Sequence, residues 1–100
     1  MSTTNKYELM LMLDPGVAED RSSEIVGRLT ATVEKGKGKV SGIDDWGKRK
    51  LAYEIKGQSE GIYSVVTFTA TPTTLAEVER VLRITDDVMR FQTVRLKSQS

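Results

Sequence analysis

Apolar positions along the chain recur with a period of two in some stretches and near 3.6 in others, and the alternation of the two periods sets out the elements. Tyr7, Leu9, Leu11 and Leu13 alternate with Glu8, Met10 and Met12, which predicts a first strand with one clearly apolar face and a second face that is half apolar. Asp14-Pro15-Gly16 breaks that strand and places the Asp14 carboxylate near the start of the next element. Over residues 17–35, Ile25, Val26, Leu29 and Val33 return at helical spacing, with Glu24 and Arg28 as a supporting pair, until Gly36 and Gly38 end the helix.

Val40 and Ile43 open a second strand, and their three-residue separation predicts a bulge or bend near Gly42 or Gly47. The stretch 46–68, WGKRKLAYEIKGQSEGIYSVVTF, is the centre of the chain. In it Leu51, Tyr53 and Ile55 fall on one face with Lys50, Ala52, Glu54 and Lys56 on the other, and Gly57-Gln58-Ser59-Glu60-Gly61 reads as a polar turn before alternation resumes. This is a β-hairpin. Ile62, Ser64, Val66, Phe68 and Ala70 form one face of its second strand, and Tyr63, Val65, Thr67 and Thr69 the other. Thr74 followed by Glu77 fits a capping box for a helix carrying Leu75, Val78, Val81 and Leu82 to about Arg83. Asp86-Asp87 turns the chain into a last strand over 88–96.

The order β-α-β-β-α-β predicts an α+β domain: a four-stranded antiparallel sheet with the first and third strands central and both helices on one face. With Leu9, Leu11, Val66 and Phe68 needed under the helices, Met10, Met12, Tyr63 and Val65 are left on the open face. That face is more apolar than water alone favours, which makes the four residues a candidate protein-partner surface; the alternative is a scatter of ordinary surface apolar residues.

Composition narrows the chemistry. One hundred residues with 38% hydrophobic content bury a single core, so residues 1–100 are expected to form one domain. The net charge is only +1, and any polyanion partner must be argued from the distribution of charge. Lys48, Arg49 and Lys50 concentrate that charge where the hairpin begins, either as phosphate contacts or as protection of an edge strand. Lys39 closes the run Lys35-Gly36-Lys37-Gly38-Lys39, which lacks phosphate-loop spacing and follows a helix, so the choice is between a solvated helix end and an RNA contact. Trp46 is suited to stacking on a base or to packing at a core edge. The acid pairs Asp44-Asp45 and Asp86-Asp87 are expected to serve turns rather than to bind a cation. The absence of histidine and cysteine removes the usual nucleophile-base pairs, disulfides and thiolate metal sites, and no cofactor or small-molecule substrate is expected. The longest apolar run, 9–13, neither spans a membrane nor resembles a signal sequence, so a cytoplasmic location is expected.

Tyr7-Glu8 leading to Leu13-Asp14-Pro15, then Gly38-Lys39-Val40, Trp46-Gly47-Lys48-Arg49-Lys50-Leu51-Ala52-Tyr53-Glu54-Ile55, Glu60-Gly61-Ile62-Tyr63 and the ending from Leu82 to Val88 with Val94 and Lys97, resemble the bacterial small-subunit ribosomal protein six family over essentially the whole chain. The segment 47–53 carries the resemblance most specifically, because no generic strand demands a glycine, a basic cluster and Leu-Ala-Tyr in sequence. The resemblance implies a ferredoxin-like fold and a non-enzymatic role, binding the central domain of 16S rRNA together with ribosomal protein eighteen. Two rivals share the topology. An RNA-recognition module would stack bases on aromatics of the first and third strands, yet Gly61-Ile62-Tyr63-Ser64-Val65-Val66-Thr67-Phe68 matches its motif only loosely. A ligand sensor or enzyme would need a polar pocket, for which the sequence offers no histidine, cysteine or glycine-rich cradle.

Overall fold

The computed structural model describes residues 4–55 and 57–96. Lys56, Lys97 and the side chain of Ile55 lie outside the described residues. The elements run β1 (Asn5–Leu13), α1 (Glu19–Lys35), β2 (Lys39–Ile55), β3 (Gln58–Ala70), α2 (Pro72–Arg83) and β4 (Val88–Leu96). The four strands form one sheet in the order β2-β3-β1-β4, every neighbouring pair antiparallel. The first and third strands are therefore central, as the split βαβ order requires.

Register fixes the two faces. Tyr7 pairs with Phe68, Leu9 with Val66, Leu11 with Ser64 and Leu13 with Ile62, and this set lies beneath the helices. Leu9, Leu13, Val66 and Phe68 are fully buried there against Leu29 and Val33 of α1 and Val78 and Leu82 of α2. The Phe68 ring meets Tyr7 at 5.7 Å between centroids, and truncating a side chain so enclosed costs about 3–5 kcal/mol. Met10 pairs with Val65 and Met12 with Tyr63 on the opposite, helix-free face.

Several local details differ from the pattern read along the chain. The second helix is capped by Thr71, whose side chain accepts a hydrogen bond from the Thr74 amide at 3.2 Å, with Pro72 in the first turn. Thr74 is itself buried, and Glu77 pairs with Arg80 instead of reaching back to the cap. Asp14 does not cap α1; it accepts from the Gly16 amide at 2.8 Å and closes the turn after β1. Glu24 is engaged mainly by Arg21, and its contact with Arg28 is long at 3.9 Å. Arg21 also donates to Asp87 at 2.6 Å, so Asp87 joins the loop before β4 to the first turn of α1 and, ahead of Glu24, raises the pKa of the Arg21 guanidinium.

Gly36 and Gly38 serve packing rather than an unusual backbone angle. A Cβ at Gly36 would fall 2.1 Å from the Thr74 hydroxyl, and one at Gly38 would fall 2.4 Å from the Thr69 carbonyl. The left-handed residue of this connection is Lys37, at φ 66°.

Candidate partner and nucleic-acid interface

β2 is the edge strand that carries the basic cluster, and its pairing with β3 is irregular at three places: between Val40 and Gly42, between Asp45 and Gly47, and between Lys50 and Ile55. The first two are the bends that the spacing of Val40 and Ile43 predicts. Gly47 adopts φ 75°, a backbone conformation that side-chain-bearing residues avoid. The third irregularity overrides the regular alternation expected for residues 51–55. Ile55 pairs with Gln58, so the reversal is much tighter than a loop over 57–61, and Gln58 to Gly61 belong to β3. Residues 51–54 have no regular partner on β3, and they form no buried face: Leu51 is half-buried and Tyr53 is 63% exposed.

The register separates the three cations. Lys48 lies opposite Ile62 and Lys50 opposite Glu60, on the helix side, whereas Arg49 lies opposite Gly61 on the helix-free side. All three are exposed. Among the described residues the ion pairs lie within α1, within α2 or between Arg21 and Asp87, and Lys48, Arg49 and Lys50 take part in none. Lys39 sits at the other end of β2, opposite Thr69 and exposed on the helix-free face.

Trp46 is neither a core residue nor a free stacking platform. It is 44% exposed, stacks on Tyr63 with 6.5 Å between ring centroids and an angle of 12°, and donates its indole N–H to Asp44 at 2.8 Å. Asp45 accepts from the Gly47 amide at 3.1 Å. The pair Asp44-Asp45 thus shapes a bulge inside a strand, while Asp86-Asp87 does sit in a turn. No cluster of three or more metal-ligating side chains occurs among the described residues.

Met10, Met12, Tyr63 and Val65 come together on the helix-free face as the alternation predicts. Met10, Tyr63 and Val65 are half-buried, but Met12 is only 7% exposed. Met10, Met12 and Tyr63, with Arg90 and Gln92 of β4, line a shallow depression of about 150 Å³. That is smaller than ordinary ligand pockets, which run from about 300 Å³ upward. β1 presents methionines here rather than aromatics, so the stacking platform of an RNA-recognition module is not built. Arg90 and Gln92 were not singled out by the sequence pattern; the alternation of β4 places them opposite Met12 and Met10.

An α+β sheet covered by helices on one side, with an apolar depression on the other and cations along a bulged edge, is a ferredoxin-like domain whose chemistry is that of contact surfaces. The family model described as "Ribosomal protein S6" matches residues 6–95. The small ribosomal subunit protein bS6 of Clostridium kluyveri is 44% identical over 90 residues, 90% of this chain and 95% of that protein. That of Streptomyces griseus is 40% identical over 89 residues, 89% of this chain and 93% of that protein. The crystal structure of 30S ribosomal protein S6 from Thermotoga maritima superposes with a TM-score of 0.87 at 36% identity, covering 94% of this chain and 89% of that one. The chain belongs to the ribosomal protein S6 family, whose members are structural proteins of the small ribosomal subunit and not enzymes. Among the described residues, no helix is long and apolar enough to cross a membrane.

Proposed function

We propose that this protein binds the central domain of 16S rRNA together with ribosomal protein eighteen, with the two partners held by different parts of the sheet. The observation that carries the reading is the division of the surface. Apolar side chains of Met10, Met12, Tyr63 and Val65 occupy the centre of the helix-free face, and cations that enter no ion pair among the described residues lie along β2. An apolar face suits a protein partner. Lys48, Arg49, Lys50 and Lys39 suit RNA phosphates, with Trp46 at the boundary between the two surfaces.

The working arrangement is cooperative. A formal net charge of +1 gives weak long-range attraction for a polyanion, so RNA binding by this chain alone rests on a few local contacts. A partner docked on the sheet face extends the RNA-binding surface beyond those few contacts and supports the hairpin. The test is to mix the pure protein with a central-domain rRNA fragment, with and without ribosomal protein eighteen. Tight binding only in the presence of the partner is the expected result. Equally tight binding by this chain alone would favour a free-standing RNA-recognition module, and saturable binding of a small molecule would favour a sensor.

A further inference from the structure

The helix-free face has an internal contact that a docking partner must accommodate. The Arg90 guanidinium, on the far edge strand, donates to the Tyr53 hydroxyl of the β2 limb at 2.9 Å. β2 and β4 are the two outer strands, with β3 and β1 between them, so the hairpin must curl toward the opposite edge for this bond to form. Three further features accompany the bond. Residues 51–54 have no regular partner on β3, and the limb is preceded by Gly47 at φ 75°, so both a loose segment and a bend are in place. Arg90 pairs with Met12 and lines the depression that contains Met10 and Tyr63. Met12 faces away from the helices yet is 7% exposed, and its side chain leans so close to Gly61 on the hairpin that a Cβ there would fall 2.7 Å from Met12 Cγ.

We propose that the limb 51–54 is a strap, latched by Tyr53 to Arg90, that closes the hairpin end of the helix-free face in the free protein and is released when a partner protein docks there. The proposal rests on the docking reading given above. Its logic is a pre-equilibrium. If the strap is mostly closed, the apparent affinity of the partner is lowered by the open fraction, and anything that weakens the latch raises it. A single hydrogen bond at an exposed site sets the scale, so loss of the latch should raise the association rate of the partner about two- to tenfold. Tyr53→Phe and Arg90→Gln should act alike, and the double variant should gain little beyond either one, because both remove the same bond.

The converse experiment locks the strap. The chain contains no cysteine, so Tyr53→Cys with Arg90→Cys introduces a unique pair. The contact joins the tips of two long side chains, too far for a disulfide, so a reducible bis-maleimide bridges the thiols. The crosslinked protein should fail to bind ribosomal protein eighteen and should recover on reduction of the linker. Binding by the crosslinked form at the wild-type rate would overturn the strap. If the wild-type protein does not bind ribosomal protein eighteen at all, the docking reading fails instead, and the strap is then tested in the free protein. Peroxide oxidation of Met12, read by mass spectrometry, should be faster in Arg90→Gln than in wild type, and an unchanged rate would overturn it.

Discussion

Arg49 is the residue on which the RNA reading is most exposed to refutation. Each cation that neutralises a phosphate contributes about 0.7 to 0.9 to the slope of log affinity against log salt. Because Lys48 and Lys50 share one side of the strand and Arg49 occupies the other, a single RNA surface meets either the two lysines or the arginine, not all three. The neighbours across the strand favour the arginine. Gly61 opposite it carries no charge to compete for the guanidinium, whereas Lys50 faces the acidic Glu60. A planar guanidinium also holds phosphate through two hydrogen bonds, where an ammonium acts as a point charge. Arg49→Ala should therefore lower the slope by about 0.7 to 0.9, so that between 50 and 200 mM salt the variant loses roughly threefold less affinity than wild type does. The lysine pair replaced together should lower it by less than the roughly 1.4 to 1.8 expected for two full contacts. The assay is a salt titration of central-domain rRNA binding by the preformed heterodimer, with heterodimer affinity measured separately for each variant. An unchanged slope for Arg49→Ala, with a normal slope loss for Lys48→Ala plus Lys50→Ala, would place the RNA on the helix side. No change for either would leave the cluster as edge protection alone.

Three further outcomes are expected. Tyr63→Asp with Val65→Asp should abolish binding of ribosomal protein eighteen while the circular dichroism spectrum stays native, since both lie on the face away from the core; a normal heterodimer on gel filtration would move the docking surface elsewhere. Gly38→Ala should destabilise by about 1–3 kcal/mol in urea, because its Cβ meets the Thr69 carbonyl, whereas Gly27→Ala should stabilise by about 0.5–1 kcal/mol, since that helical glycine has open space around its Cβ. The hydrogen bond from Arg80 lowers the pKa of Glu77 below its ordinary 4.5, so the pair stabilises the protein above that range and is lost as pH falls through the folded value. Wild type should melt slightly above Glu77→Gln at pH 7, and the gap should close as pH falls below the folded value; a pH-independent gap would show that the pair does not act through charge.

The topology was legible because the two hydrophobic periods rarely compete in this chain. Leu9, Leu11, Val66 and Phe68 can be buried together in only one register, and that register carries Met10, Met12, Tyr63 and Val65 to the other face. Finer features depended on neighbours far along the chain. The capping rule selected Thr74 because Glu77 follows at the right spacing, but Pro72 in the first turn makes Thr71 the cap and sends Thr74 inward against Gly36. The polar residues 57–61 resembled a loop, although Gly57 at φ 78° lets the chain reverse sooner and leaves Gln58 to Gly61 free to pair. Trp46 was undecided between base and core, and its place was set by Tyr63, 17 residues away in sequence but next to it across the sheet. No local pattern could show the bond between Arg90 and Tyr53.

Edge protection and RNA contact are not exclusive for Lys48, Arg49 and Lys50. β2 is an outer strand, and an outer strand with unbroken pairing groups invites a second chain. Here the bulges at Val40/Gly42 and Asp45/Gly47 interrupt the outer edge, and cations on both sides of the strand add repulsion between copies. Among the described residues the same charges enter no ion pair, in contrast to Arg21, Arg80 and Arg83 on the helices, which suits the proposed contact with a polyanion. The bulges defend the edge, while regular pairing over 48–50 sends successive side chains to opposite faces, so only part of the cluster can face one RNA surface. Within this arrangement, a hydrophobic replacement at Arg49 should harm twice, by removing a phosphate contact and by exposing an apolar edge. Neutral Arg49→Gln should harm only RNA binding, which separates the two roles by comparing the rRNA salt slope with the concentration at which the free protein self-associates.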